Sequence, residues 1–111
     1  MPKPAKPVAK RRVRGSRTGR PVMVLLDLMG RRWTLRIIWE LREDRALTSR
    51  ALRTACDEAS PTVLNERLKE LREAGFVALG EAGGYALTPL GKELLKTVLP
   101  LHGFAERWSR R

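Results

Sequence analysis

Residues 60–75, Ser-Pro-Thr-Val-Leu-Asn-Glu-Arg-Leu-Lys-Glu-Leu-Arg-Glu-Ala-Gly, carry their own start and stop signals and fix one helix of the fold. Ser60 is an N-cap residue, whose hydroxyl can accept from an otherwise unpaired backbone N–H. Pro61 takes the first helical position, where a missing N–H costs nothing. Gly75 can adopt the left-handed conformation that ends a helix. Between them Leu64, Leu68 and Leu71 recur at i, i+4 and i+7, and Ala74 continues this buried stripe. The opposite face carries Thr62, Asn65, Glu66, Lys69 and Glu73. Thr62, Asn65 and Lys69 can hydrogen-bond base edges or phosphates. Thr62 and Asn65 lie in the first half of the helix, the half that enters the major groove in helix-turn-helix proteins, with Lys69 one turn further on. An ordinary surface helix shows the same pattern, so the flanking segments decide between the two.

Upstream, Thr48 or Ser49 caps a short helix over 49–56 with Leu52 and Ala55 inward, and Asp57-Glu58-Ala59 connects it tightly to Ser60. Two short helices joined by three or four residues, the second well capped, form a helix-turn-helix. Downstream the hydrophobic period changes from 3.6 to 2. Residues 76–79 and 85–87 read as strands, with the glycine-rich run 80–84 as the turn between them. A hairpin directly after a helix-turn-helix is a wing, and Glu81 at its tip predicts a weak contribution to phosphate binding.

The remaining segments supply scaffold. Residues 20–29 are apolar on most faces, as in a short helix buried on two sides, and Gly30 ends it. Residues 34–41 form a second helix, with Trp33, Leu35, Ile38 and Trp39 expected in the core. Glu43-Asp44 starts a turn, and 45–48 is extended and placed to add a third strand to the hairpin. Thr88-Pro89 opens the last helix. Its Leu90, Leu94, Leu95, Val98, Leu99, Leu101, Phe104 and Trp108 cover more than one face, and a partner subunit is the natural cover. Pro100 and Gly103 are expected to kink that helix or split it.

The chain has 111 residues, enough for one domain with a modest core. Its formal charge is +11, and residues 1–20 carry +8 of it: Lys3, Lys6, Lys10, Arg11, Arg12, Arg14, Arg17 and Arg20, with no acid. This imbalance implies a polyanionic partner, with nucleic acid the first candidate and an acidic membrane surface the second. Residues 1–19 hold almost nothing to bury and read as a disordered basic arm, leaving 20–111 as the folded domain. With Cys56 the only cysteine and His102 the only histidine, an intrachain disulfide and a Cys/His zinc site are both excluded. No metal or cofactor is expected. One histidine, no clustered carboxylates and no phosphate-cradling loop leave no catalytic constellation, so the chain is not read as an enzyme. The longest apolar run near the N-terminus, 22–26, is too short to span a bilayer, and a cytoplasmic, nucleoid-associated protein is expected.

The order helix, helix, strand, helix, recognition helix, hairpin, helix resembles a winged helix. Three segments carry a closer likeness: Gly30-Arg31-Arg32-Trp33-Thr34-Leu35; Ser60-Pro61, Leu64, Arg67-Leu68, Leu71 and Ala74-Gly75; and Tyr85-Ala86-Leu87-Thr88-Pro89-Leu90-Gly91. They resemble the HxlR-type regulators, relatives of the MarR group, over about residues 20–108. The resemblance implies a mainly α winged helix-turn-helix with a small hairpin wing. It also implies a prokaryotic transcription factor that dimerises through its first and last helices on a palindromic operator. On that view double-stranded DNA is contacted by Ser60, Pro61, Thr62, Asn65, Glu66 and Lys69. Arg50, Arg53 and the arm residues Arg11, Arg12, Arg14 and Arg17 add charge. Val22, Leu25, Leu26, Leu94, Val98, Leu101, Phe104 and Trp108 form the homodimer interface. Members often carry a cysteine just before the Pro-Val that starts the first helix, and in some it senses oxidants or electrophiles; this chain has Arg20 there. A small-molecule effector is compatible with the sequence, but no residue pattern indicates one. The rival readings are a non-specific DNA-coating protein and a winged helix used for protein contact.

Overall fold

The structure, a computed structural model, describes residues 20–111. Five helices and one hairpin follow in the order α1 (Pro21–Met29), α2 (Thr34–Glu40), α3 (Ser49–Ala55), α4 (Pro61–Glu73), β1 (Val77–Leu79), β2 (Tyr85–Leu87) and α5 (Pro89–Ser109). The strands pair antiparallel with Val77 opposite Leu87 and Leu79 opposite Tyr85. The extended segment before α3 joins this sheet at a single point. Leu47 and Tyr85 exchange two backbone hydrogen bonds, at 2.9 and 2.7 Å, but no third strand develops.

The leucine stripe of α4 is buried as its spacing requires: Leu64, Leu68 and Leu71 are all sealed from solvent. They meet Ile37, Ile38 and Leu41 of the second helix region, Leu52 and Cys56 around α3, Val77 and Leu87 of the hairpin, and Leu94 of α5. Burying each such side chain stabilises the fold by roughly 1.5–3 kcal/mol before chain entropy is counted. The register of α2 differs from the expectation. Ile37 and Ile38 point inward, Leu35 is half-buried, and Trp39 is exposed. The outward position of Trp39 is stabilised by Arg42, whose guanidinium lies 4.1 Å from the ring centroid, and by a stack with His102 of α5. Trp33 packs against the core from a left-handed backbone position, φ 76°, just ahead of α2.

Helix α4 stops through a complete set of terminal hydrogen bonds. Gly75 is left-handed, φ 86°; its N–H donates to Arg72 O at 3.0 Å, and the N–H of Phe76 donates to Leu71 O at 2.9 Å. This 6→1 and 5→2 pair is the Schellman arrangement, which satisfies the helix's last carbonyls. The start of α5 is bolted onto the same spot. The Thr88 hydroxyl accepts from Gly91 N–H at 3.0 Å and donates to the Gly75 carbonyl at 2.6 Å. The Thr88 N–H donates to Phe76 O at 3.0 Å. Gly91 lies so close to the Phe76 carbonyl that a β-carbon would overlap its oxygen.

Helix α5 is one element of 21 residues with Pro100 inside it, not two helices. Pro100 removes one N–H donor to the turn before it. Both Pro100 and Lys96, whose carbonyl loses that donor, are exposed, so water can take over the bond. The helix has two unlike halves. Leu94 is buried and Leu95 and Val98 lean on the core, whereas from Leu99 onward every residue except Gly103 is exposed. Likewise α1 buries Val24 and Leu28 on one side only, leaving Val22 and Leu26 in solvent. No helix among the described residues is long and apolar enough to cross a membrane.

The close approach at Gly91 has a direct consequence. Gly91→Ala is expected to lower unfolding stability by at least about 1–3 kcal/mol, because the new methyl must displace backbone and not a movable side chain. Urea unfolding followed by circular dichroism measures it, and an unchanged midpoint would show that the α4–α5 junction is not tight.

Candidate nucleic-acid interface

The polar face of α4 is presented to solvent. Ser60, Pro61, Thr62, Asn65, Glu66 and Lys69 are all exposed, while the leucines between them are buried. Ser60 caps the helix as expected, its hydroxyl accepting from Val63 N–H at 3.5 Å. The first turn contains no acidic residue, so its free N–H groups and the positive end of the helix dipole are available to an anion. Arg72, not singled out from sequence, is also exposed and lies three residues beyond Lys69. Its i+3 spacing from Lys69 is the signal that could have found it. Lys69, Arg72, Glu73, Val77, Ala78 and Leu79 line an open cleft between α4 and the hairpin.

The turn between α3 and α4 is held by arginines. Thr48 caps α3, accepting from Ala51 N–H at 3.1 Å. Asp57 and Glu58 both adopt left-handed backbone angles, φ 54° and 60°, which cost energy in residues bearing a β-carbon. Arg36 of α2 stabilises this turn. It donates to Ala55 O at 2.7 Å, pairs with Asp57 at 3.3 Å, and binds Glu40 of its own helix at 2.9 Å. Its hydrogen bond to the Glu40 carboxylate raises the already high pKa of the guanidinium, so the charge is permanent. Arg53, expected as a phosphate ligand, spends its Nε–H on Ala59 O at 3.2 Å and keeps only its outer nitrogens for DNA. Arg50 is exposed on α3 with its side chain available to a phosphate. Arg11, Arg12, Arg14 and Arg17 lie outside the described residues.

Of the expected interface residues, Val22, Leu26, Leu101, Phe104 and Trp108 are exposed large hydrophobics on α1 and α5. Leu25 and Val98 are half-buried against the protomer's own core. Leu94 is a correction: it is 6% exposed and belongs to that core, because the anchored half of α5 packs against α2 and β2.

Cys56 is fully buried at the end of α3. Desolvation pushes its thiol above the ordinary value, the neighbouring Arg36 charge lowering it by less. A thiol so placed lacks both the exposure and the thiolate character that reactive cysteines need. Native protein is expected to react with a disulfide reagent far more slowly than unfolded protein at the same pH. Because the folded state holds this proton more tightly, Cys56 contributes stability that is present below the unfolded thiol's pKa and lost as pH rises through the folded one. Stability of a Cys56→Ala variant should therefore fall less steeply in alkali. Equal reaction rates for native and unfolded chains would contradict the burial.

Comparison with known proteins agrees with this architecture. A possible HxlR family transcriptional factor from Thermoplasma volcanium GSS1 is 27% identical, with TM-score 0.69, covering 78% of this chain and 83% of that one. The quinone-bound YodB of Bacillus subtilis is 28% identical, also with TM-score 0.69, covering 75% and 92%. A MarR family transcriptional regulator from Porphyromonas gingivalis W83 is 25% identical, with TM-score 0.65, covering 91% and 98%. No curated protein matches the chain. The HxlR-like helix-turn-helix profile matches residues 28–111, from the end of α1 through both helices of the helix-turn-helix, the hairpin and α5. The chain therefore belongs to the HxlR-like helix-turn-helix family, a DNA-binding transcriptional regulator built on a winged helix.

Proposed function

We propose that the protein acts as a homodimer on a palindromic operator, reading sequence with two copies of α4 in successive major grooves. The observation that carries this reading is the division of α4 into a sealed leucine stripe and an exposed polar face of Thr62, Asn65, Glu66 and Lys69. Asn65 reads a base, since its amide can bond adenine through two hydrogen bonds. Thr62 touches a thymine methyl or a phosphate, Glu66 accepts from a cytosine amine, and Lys69 binds a phosphate or guanine. Ser60 and the N–H groups of the first turn hold a phosphate, with Arg50 and the outer nitrogens of Arg53 adding charge from α3, and Arg72 adds charge at the far end of α4.

The second copy is supplied by the exposed apolar faces of α1 and α5. Val22 and Leu26 on the first, and Leu101, Phe104 and Trp108 on the second, are each more than half exposed. Pairing these faces in a twofold dimer covers both and sets the two recognition helices about 34–36 Å apart, one turn of DNA. The basic arm adds sequence-independent affinity, which keeps the protein on the nucleoid in the cytoplasm.

Selection of random duplexes at moderate salt is the test. An enriched palindrome supports the reading, whereas flat enrichment with strong salt dependence favours a DNA-coating protein. On the enriched site Asn65→Ala should relax base preference at one position by about 1–3 kcal/mol; Lys69→Ala should weaken all sequences alike where Lys69 grips a phosphate and relax preference for a guanine where it reads one. Removing residues 1–19 should make the salt slope shallower by about 0.9 for each phosphate the arm neutralises. An unchanged slope would eliminate the arm from the interface.

A further inference from the structure

One set of side chains links the helix that carries the outward apolar face of α1 to the recognition helix. Arg31 lies in the connector between α1 and α2. Its Nη2 donates to Asp27 of α1 at 3.0 Å, and its Nη1 donates to Glu70 of α4 at 2.6 Å. The other oxygen of the Glu70 carboxylate accepts from Arg67 Nη1, also at 2.6 Å. Glu70 is thus held between two guanidiniums, one from its own helix and one from the connector. The connector itself is fixed at both ends, with Arg31 N–H on Leu28 O and Thr34 N–H on Arg31 O, each at 3.2 Å.

This chain of ion pairs is only partly open to water. The side chains of Asp27, Arg67 and Glu70 are 20%, 16% and 21% exposed and that of Arg31 is 42% exposed, so salt screens the Arg67–Glu70 pair less than a surface pair, whereas the two Arg31 pairs face solvent and act through their geometry. Arg67 Nε is buried and without a hydrogen-bond partner, so its position is fixed by the Glu70 contact and packing and not by full satisfaction of its donors. Asp27 directly follows Leu26, one of the exposed apolar residues of α1, and Glu70 directly follows Lys69 on the exposed face of α4. The directional hydrogen bonds of these pairs add an orientation-dependent tie between α1, the connector and α4.

We infer that Arg31 is a positioning residue that locks the recognition helix to α1 through Asp27 and Glu70, and thereby sets the half-site separation the protein accepts. This rests on the palindrome-reading dimer proposed above. Neither Arg31 nor Asp27 touches DNA in that arrangement. Their removal leaves the grip of one α4 on one half-site intact and loosens the relation between two. A one-base-pair change in spacing moves a half-site by about 3.4 Å and turns it by roughly 35°, so a rigid dimer discriminates sharply and a loosened one does not.

The test measures affinity of the full chain for its selected palindrome, for the same palindrome with one base pair inserted or removed, and for a single half-site. Wild type is expected to lose about tenfold or more on either altered spacing, equivalent to about 1.4 kcal/mol. Arg31→Met should lose less than about threefold on the same duplexes while keeping wild-type half-site affinity, a pattern that a general loss of stability does not produce. Asp27→Ala, which leaves the Arg31–Glu70 pair in place and suits a helix, serves as the second variant should Arg31→Met not fold, and the same flattening is expected. Wild-type spacing discrimination in the folded variants overturns the positioning role and leaves the dimeric reading standing. Equal affinity of wild type for every spacing overturns the dimeric reading itself, and this inference with it.

Discussion

The junction where α4 ends and α5 begins holds the rest of the molecule in place. The Thr88 hydroxyl does two tasks at once, capping α5 and donating to the carbonyl of Gly75 just past the end of α4. The hairpin leaves and returns through this point, since Phe76 follows Gly75 and Leu87 precedes Thr88. The backbones approach so closely that only glycine fits at position 91. A hairpin with two three-residue strands has little stability of its own. Here its base is fixed by hydrogen bonds to helix termini, and Val77 and Leu87 are anchored in the core. The Leu47–Tyr85 exchange gives it one more attachment, to the segment that starts α3.

The same economy governs the helix-turn-helix. Its connection is so short that two consecutive residues with side chains, Asp57 and Glu58, must take left-handed backbone angles. That strain is offset from outside the motif by Arg36 and from inside by Arg53, both bonding carbonyls at the turn. The recognition helix is therefore positioned on several sides: by its leucine stripe beneath, by the arginines at its entry, and by the glycine and threonine at its exit. An exposed face supported in this way keeps a fixed aim, as the proposed recognition of base edges requires.

Much of this was legible in the sequence because the informative signals are local. The cap, proline and glycine of residues 60–75, the threonine and proline at 88–89, and the change of period at Phe76 each depend on a few neighbours. Boundaries shift by only a residue or two. The misreadings concern what local pattern does not encode. Trp39 looks like core by composition, yet a short helix can turn either face inward, and Arg42 and His102 make the outward position favourable. Leu94 and Leu101 are alike on paper. Only the tertiary arrangement shows that the first faces the protomer's own core while the second faces solvent. Pro100 predicts a break, and the exposure of its surroundings removes the need for one. Arg53 looks like a phosphate ligand by charge, and its bond to Ala59 is visible only once the turn is folded.

The two halves of α5 divide the work of that helix in a way that matters for how such chains diverge. One face of the first three turns is committed to the interior, where Gly91 and Leu94 leave no room for change. The outer half, from Leu99 to the end, contributes nothing buried except through Gly103, which is half-covered. Substitutions there alter what the helix can associate with while leaving the folding of the domain almost untouched. In the proposed dimer, two copies that arise by gene duplication would lose affinity for each other through changes in that outer half alone. Insulation between sister proteins is thereby reached without passing through an unstable intermediate.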